Sequence, residues 1–419
     1  MKEVKENEVI RREPSKGRVT AYIVCWLLGN GCLFGWNSLL TIEDYFSVVF
    51  AAYHPTRVFT LVYQPFALIT IFILTHFEAR VNTRLRILTG YSLFFLLVLL
   101  IPILDLATSG RGGIGPYVGT CILVAGFGIA DAHVQGGMFG EVSFMHASYV
   151  QAFSAGLAAS GAITSAIRFI CKASFPNTKS GLRKITFFFI SAFFELLCIL
   201  LYAYVFPRLQ IVRYYRSRAA AEGSMTVAAD LAAGGASSSE YEKDVEKPVQ
   251  LQQRLTNRQL IAKNADYAFA IFVVYTLSLS IFPGFLSEDT GQHHLGSWYA
   301  ITLIALFNVG DLLGRCIILI KRLRFSSRPG LVIAALSRLV FIPAFYFTAK
   351  YGSQGWMIML CLLLGLSNGY LTVSIFVGAP KGYLGPEQNA LGNILTLFLL
   401  LGLFAGVTLD WLWLIGKGW

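Results

Sequence analysis

Long apolar stretches recur along the chain and alternate with shorter polar segments. A helix of about 20 apolar residues spans the hydrocarbon core of a bilayer. By this length the sequence predicts eleven spans: 19–40, 58–77, 87–107, 116–140, 149–171, 184–206, 266–286, 298–320, 330–349, 356–378 and 391–415. The longest polar segment separates the first six spans from the last five. We therefore predict an all-α polytopic membrane protein with eleven transmembrane helices in a 6+5 two-bundle arrangement.

The predicted spans divide the chain into four parts. We expect an N-terminal tail at 1–18, an N-terminal bundle at 19–206, a linker at 207–265 and a C-terminal bundle at 266–419. The middle of the linker is rich in Ala, Gly, Ser and Glu, a composition typical of a mobile tether. Near its start, Ile211–Arg218 predicts a short helix at the membrane interface. Two tethered bundles can rock against each other around a central site, which favours a carrier.

Composition and charge support this class and predict its orientation. The residues are 55% apolar and 14% charged, and the mean hydropathy is +0.61, which excludes a soluble protein of this length. Most of the 34 Lys and Arg residues lie on the side of the N-terminus, so we expect the N-terminus in the cytoplasm and the C-terminus outside. The basic residues do not cluster with aromatic platforms, so no nucleic-acid partner is expected. Without a visible organellar address we expect the plasma membrane, with the vacuole as the alternative.

The predicted eighth span contains three polar residues, Asn308, Asp311 and Arg315. At 100° per residue, positions i, i+3 and i+7 fall on one helical stripe. A charged residue at the centre of a bilayer costs about 2.5–3.5 kcal/mol or more, so this stripe must face a partner or a wet cavity. A structural ion pair between helices would explain Asp311 and Arg315 but not Asn308. We therefore favour a stripe that lines a solute path.

Two other spans also contain polar residues among apolar ones. In the first, Trp36 offers a flat ring and Asn37 offers donors and an acceptor, a pair that suits a planar heterocycle; an interfacial Trp is the alternative. In the fourth, Asp131 and Gln135 share a face, so we expect both to line a cavity. His133 faces elsewhere and is interpreted as a hydrogen bonder between helices. Burial without a cation favours the neutral carboxyl group, which makes Asp131 a candidate proton acceptor.

The remaining reactive side chains do not form a catalytic pattern. Arg168, Glu195 and Arg338 lie within or near the ends of spans and are interpreted as structural pairs or gating residues. The six His residues are scattered, and the sequence contains no metal-ligand spacing, nucleophile constellation or phosphate-binding loop. We therefore predict no enzyme activity, no metal and no cofactor.

Four motifs carry a resemblance to a known family: Gly35–Ser38, Val134–Gly140, Phe307–Arg315 and Leu366–Tyr370. Together with a Gly-rich last span they resemble the equilibrative nucleoside transporters, and the plant members in particular. The resemblance runs nearly from end to end. It implies a major-facilitator-like fold that moves purine and pyrimidine nucleosides across a membrane by alternating access. We expect a monomer whose partners are nucleosides and bilayer lipid.

The resemblance also implies roles for single residues. Trp36 would pack against the nucleobase, and Gln135 would hydrogen-bond its polar edge. Asp311 and Arg315 would address the ribose hydroxyls, and Asn308 would support their arrangement. The apolar walls would be Leu33, Leu40, Tyr63 and Ile304.

Asp131 departs from the mammalian members of that family, which have a glycine at this position. The acid leaves proton symport open, as the resemblance to plant members also implies, and we predict that Asp131 is the coupling site. A facilitative carrier of nucleosides or nucleobases is the alternative. Two further alternatives remain: a carrier of another organic solute, and a membrane receptor without transport activity.

Overall fold

The computed structural model describes residues 17–78, 80–174, 180–221, 254–288, 294–324, 327–351 and 354–415. In these ranges the chain folds as helices joined by turns and short loops. Eleven helical segments of the described chain are long and apolar enough to cross a membrane: α1 (Arg18–Thr41), α2 (Pro55–His76), α3 (Thr83–Ala107), α4 (Ile114–Ser143), α5 (Ala147–Ala173), α6 (Phe187–Arg208), α7 (Ala265–Leu286), α8 (Tyr299–Ile317), α9 (Arg328–Tyr351), α10 (Gln354–Gly378) and α11 (Gly385–Leu414).

These helices confirm the predicted fold class, because each predicted span coincides with one of them. The differences lie at the ends. Helices α4 and α11 have 30 residues each and extend beyond the apolar runs 116–140 and 391–415. Apolar character ends where the hydrocarbon ends, whereas a helix continues while each added residue gains a backbone hydrogen bond. The start of α11 has its own signal, since Pro386 and Glu387 occupy its first turn.

Short helices outside the spans refine the prediction for the linker. Gln210–Ala221 is helical, as expected near Ile211–Arg218, but it buries Ile211 and Val212 against the bundles. The helix packs on protein along this face, and its predicted place at the membrane interface stays a prediction. Its Arg216 donates to a carboxylate oxygen of Glu141 at the end of α4, at 2.6 Å from Nε. The tail before residue 17 and the predicted mobile middle of the linker, 222–253, lie outside the described residues.

Helix packing defines two bundles with one contact surface between them. In the first bundle α1 packs on α5, α2 and α3 pack on α4, and α3 packs on α6. In the second, α8 packs on α10, and α7 packs on α11 and α9. Between the bundles, α5 contacts α8, while α2 and α4 contact α11. The central helices of the two bundles thus face each other, as the 6+5 arrangement requires.

Glycines allow the central helices to approach each other at the level of the bundle centre. A Cβ atom at Gly156 of α5 would lie 2.0 Å from the carbonyl oxygen of Trp26 in α1, so only glycine permits this contact. In the second bundle, a Cβ atom at Gly369 of α10 would lie 2.0 Å from the carbonyl oxygen of Asp311 in α8. The close approach of α10 brings polar residues of this helix within hydrogen-bonding distance of the stripe on α8.

Polar contacts join the bundles at both ends. On the side of the linker, Asn389 of α11 donates to Glu78 at 2.5 Å, and Arg86 of α3 donates to Asn393 of α11 at 2.8 Å. On the opposite side, the Arg57 guanidinium of α2 lies 3.3 Å from the Asp410 carboxylate of α11. The space between the bundles is therefore bounded by polar contacts above and below.

Arg168, Glu195 and Arg338, for which the sequence indicated no partner, have different environments. Arg338 donates to the hydroxyls of Ser278 and Ser367 at 2.7 and 3.0 Å, and also to backbone carbonyls. Glu195 is fully buried in α6 beside Gly35. Within the described chain neither forms an ion pair; Arg338 has hydrogen-bond partners instead, and a gating role for these two residues stays a prediction. Arg168 is buried in α5.

Candidate functional site

A cavity lies between the two bundles, halfway along the helices. Helices α1, α2, α4 and α5 line it from the first bundle, and α7, α8, α10 and α11 line it from the second. The empty space within the lining, including the part open to solvent, is about 930 Å³.

Most residues predicted for the site line this one cavity. The structure brings together Leu33, Trp36, Asn37, Leu40, Tyr63, Asp131, Gln135, Asn308, Asp311 and Arg315. Ile304 is not part of the lining. It lies one turn before Asn308 and packs on the apolar cluster that includes Phe307 and Phe345. Ile304 is only partly buried there, and the lining residues of α8 begin at Phe307.

The side of the cavity formed by the second bundle contains a continuous polar network, which we call the ion-pair half. Two nitrogens of Arg315, Nε and Nη2, lie 3.0 and 2.9 Å from Oδ2 of Asp311. The third, Nη1, donates to the carbonyl and hydroxyl oxygens of Ser154 in α5, both at 2.8 Å. Arg315 is 5% exposed and Asp311 is 6% exposed. Each charge is thus neutralised and hydrogen-bonded, as buried charges require.

The network continues into α10 and α7. Asn368 donates from Nδ2 to Oδ1 of Asp311 at 2.7 Å, and its own Oδ1 accepts a hydrogen bond from Ser278 at 2.8 Å. Ser278 in turn accepts from Arg338 at 2.7 Å. Both carboxylate oxygens of Asp311 therefore have a donor, and the carboxylate is held in one orientation by three helices.

The side formed by α1, α2 and α4 is organised differently, and we call it the carboxamide half. The rings of Trp36 and Tyr63 lie against each other, with centroids 4.2 Å apart and planes inclined at 34°. Beside them Gln64 and Gln135 are 3% and 4% exposed. The carboxamide oxygen of each is buried and has no hydrogen-bond partner in the described part of the chain. This half therefore combines a flat apolar surface with unused hydrogen-bonding capacity.

Asp131 lies in the carboxamide half and is 1% exposed. The Cys32 thiol donates to its Oδ1 at 3.7 Å. No Lys or Arg of the described chain forms an ion pair with this carboxyl group. A buried carboxyl group without a cation favours its neutral form, so this environment suits a group that binds and releases a proton.

Asn37 and Asn308 line the cavity but are already engaged with α5. Asn37 donates to the Ser160 hydroxyl at 2.7 Å. Asn308 donates to the Ser165 hydroxyl at 3.1 Å and to the carbonyl of Gly161 at 3.2 Å. These two residues therefore tie α1 and α8 to α5.

His133 does not have the predicted role. It is only half-buried, it does not line the cavity, and its buried Nδ1 has no hydrogen-bond partner among the described residues. Its Cβ atom faces Gly90 of α3, where helix packing rather than hydrogen bonding fills the contact.

Several lining residues were not predicted from the sequence. Gln64 and Asn368 are carboxamide residues in apolar spans, the same residue type as Asn37 and Gln135. Applied to every span, that signal would have found both. Tyr275 of α7 also lines the cavity, and its hydroxyl accepts from Thr372 at 3.4 Å. Nothing in the sequence distinguishes Tyr275 from the other tyrosines in the spans.

Within the described residues no group of His, Cys, Asp and Glu is arranged to hold a metal ion.

Comparison with known proteins identifies the family. Residues 121–415 match the family described as "Nucleoside transporter". This chain belongs to that family. Equilibrative nucleotide transporter 3 of Arabidopsis thaliana is 58% identical over 407 residues, which cover 97% of each chain. Equilibrative nucleotide transporter 6 of the same plant is 54% identical and covers all of this chain and 99% of its own length. The chain is therefore a plant-type member of the equilibrative nucleoside transporter family and an integral multi-pass membrane protein.

Solved structures confirm the major-facilitator-like fold. The proton:xylose symporter XylE has a TM-score of 0.63 over 95% of this chain and 88% of its own, at 11% identity. The fucose:proton symporter FucP of E. coli has a TM-score of 0.56 over 95% of this chain and 97% of its own, at 13% identity. At such low identity the similarity concerns the fold alone.

Proposed function

We propose that this protein carries purine and pyrimidine nucleosides across a membrane by alternating access, with a proton as co-substrate. One observation carries the proposal. The cavity between the bundles has a flat aromatic surface with free carboxamides in one half and an ordered carboxylate–guanidinium pair in the other. A nucleoside has the matching division into a planar base and a sugar rich in hydroxyl groups.

The two halves would bind the two parts of the substrate. Trp36 would pack against the base, and the carboxamide of Gln135 would hydrogen-bond its edge. An ionised carboxylate offers about four acceptor positions, and Asp311 uses only part of them for Arg315 and Asn368. The remaining positions can accept hydrogen bonds from ribose hydroxyls. Asn37 and Asn308 would position their helices, while the apolar walls are Leu33, Leu40 and Tyr63.

Alternating access would proceed by breaking the polar contacts at one end while those at the other end persist. Opening toward the linker would separate Glu78 from Asn389 and Arg86 from Asn393. Opening on the opposite side would separate Arg57 from Asp410. Since these contacts join the bundles on both sides of the cavity, each opening exposes the substrate to one side only.

We also propose the orientation and the membrane. The excess of Lys and Arg near the N-terminus and in the linker supports a cytoplasmic N-terminus, a cytoplasmic linker and an external C-terminus. The plasma membrane is the proposed location, and a monomer is the proposed functional unit.

Uptake of radiolabelled adenosine in yeast cells that lack their own nucleoside carriers tests the substrate class. We expect saturable uptake that unlabelled uridine, cytidine and guanosine reduce by competition, and that xylose does not reduce. Competition by an unrelated solute but not by nucleosides would assign the protein to another class of carrier. Absence of any flux from correctly inserted protein would favour a receptor.

The Asp131→Asn variant tests whether transport is coupled to a proton through this residue. At −100 mV one co-transported charge adds about 2.3 kcal/mol of drive, which corresponds to roughly fifty-fold accumulation. We expect wild-type uptake to rise as the external pH falls and to drop when an uncoupler is added. The variant should lose this pH dependence but retain exchange of substrate across the membrane. Asp266→Asn is the control, since Asp266 forms a partly exposed pair with Arg328 at 3.7 Å, outside the cavity lining.

The outcomes distinguish proton-coupled transport from facilitative transport. If the Asp131→Asn variant retains the pH dependence of the wild type, the coupling site lies elsewhere. If wild-type uptake is independent of pH and of the uncoupler, the protein is a facilitative carrier.

A further inference from the structure

Five carboxamide side chains line the cavity, and they fall into two groups. Asn37, Asn308 and Asn368 each donate a hydrogen bond to a neighbouring helix. The carboxamide oxygens of Gln64 and Gln135 have no partner within the described chain. The first group is used to hold the protein together. The second group keeps its hydrogen-bonding capacity for something that enters the cavity.

Gln64 is the member of the second group that has no assigned role. It lies in α2, is 3% exposed, and follows Tyr63, whose ring lies against Trp36. A buried amide oxygen without a donor destabilises the protein, and an apolar side chain of the same size would remove that cost. Packing alone therefore does not account for a glutamine at this position.

We propose that Gln64 is a specificity-determining residue that hydrogen-bonds the edge of the nucleobase together with Gln135. The inference deepens the proposed function and rests on it. A carboxamide carries a donor and an acceptor at the same end, so either orientation of the amide leaves one of each available to a ligand. The edges of nucleobases carry donors and acceptors side by side, and glutamine pairs with this pattern on adenine.

Both glutamines line the same cavity, and the packing of α2 on α4 sets their spacing along it. Helices α2 and α4 touch at the level of the site, where a Cβ atom at Gly128 of α4 would lie 2.3 Å from the carbonyl oxygen of Tyr63. Gln64 follows this contact on α2, and Gln135 lies two turns after Gly128 on α4. A base packed on Trp36 and Tyr63 presents its edge, not its face, to side chains beside the aromatic pair. The sugar would then contact the ion-pair half of the cavity.

Gln64→Met tests the proposal with paired substrates. Methionine has nearly the volume of glutamine but cannot form these hydrogen bonds, so the variant is expected to fold. Purine riboside differs from adenosine only by the missing exocyclic amino group, and 3′-deoxyadenosine differs only by a missing ribose hydroxyl. We expect the ratio of kcat/KM for adenosine over purine riboside to fall by about three- to tenfold in the variant. The ratio for adenosine over 3′-deoxyadenosine should stay at the wild-type value.

Two further variants make the test decisive. Gln388→Met is the matched control, because Gln388 lies at the start of α11, bonds the carbonyl of Pro380 and does not line the cavity. It should leave both ratios unchanged. Gln64→Asn keeps the amide but shortens its reach, and it should reduce the first ratio even if the methionine variant does not reach the membrane.

Each remaining outcome overturns the inference. If both ratios change equally, Gln64 acts on the whole cavity and does not read the base. If neither ratio changes while adenosine is still transported, the amide does not contact the base, although the proposed function stands. If the wild type transports no nucleoside, the proposed function fails as well.

Discussion

The ion-pair half and the carboxamide half of the cavity satisfy their polar groups in opposite ways. In the ion-pair half, Asp311 and Arg315 are bonded to each other, to Asn368 of α10 and to Ser154 of α5. In the carboxamide half, Gln64 and Gln135 have buried oxygens without a partner in the described chain. In the first arrangement each charged group already has partners in the protein, and Asp311 keeps part of its acceptor capacity; in the second the buried oxygens have no partner in the described chain. Substitutions in the first half should therefore lower stability, and those in the second should lower binding.

Arg315→Ala should have the largest effect. It leaves the Asp311 carboxylate buried without its cation, and breaking a buried pair from one side costs about 3–5 kcal/mol. We expect a lower thermal unfolding temperature of the purified protein in detergent and loss of uptake. Arg328→Ala is the control, because the Arg328 side chain is 44% exposed and its pair with Asp266 contributes about 1 kcal/mol or less. Equal stability of the two variants would mean that the Asp311–Arg315 network does not stabilise the fold.

Asn368→Leu should have an intermediate effect. The substitution removes the donor to Oδ1 of Asp311, which leaves this buried oxygen unpaired, whereas the Ser278 hydroxyl can still donate to the carbonyl of Val274. The expected loss of unfolding free energy is about 1–3 kcal/mol. Thermal unfolding measured with and without adenosine checks it. A variant with wild-type stability and a changed KM alone would mean that Asn368 serves the ligand and not the network.

Gln135→Met should have the smallest effect on the protein and a clear one on binding. Because the carboxamide oxygen has no partner in the described chain, its removal should leave the unfolding temperature unchanged or slightly raised. The kcat/KM for adenosine should fall by about tenfold, which is 1.4 kcal/mol. If instead the variant unfolds earlier and transports normally, the contrast between the two halves is false.

The sequence predicted the candidate site unevenly. Asp311 and Arg315 were found because charges in an apolar span are costly and must face something polar. Trp36 and Gln135 were found by residue type and by family resemblance. Gln64 carried the same signal as Gln135 and was missed, while Ile304 was proposed from the family resemblance and does not line the cavity. A helical stripe identifies a face, but burial along that face depends on which helices lie over it.

The hydrophobic pattern alone determined the eleven spans and the 6+5 division. A bilayer forces each crossing segment to be apolar and to satisfy its backbone internally, so the spans can be recognised locally. Which polar groups are satisfied was decided only by the tertiary structure. Asn368 meets Asp311 from 57 residues away, and Ser154 meets Arg315 from 161 residues away. Side-chain partners on different helices follow from packing between distant segments, and no local pattern along the chain encodes that packing.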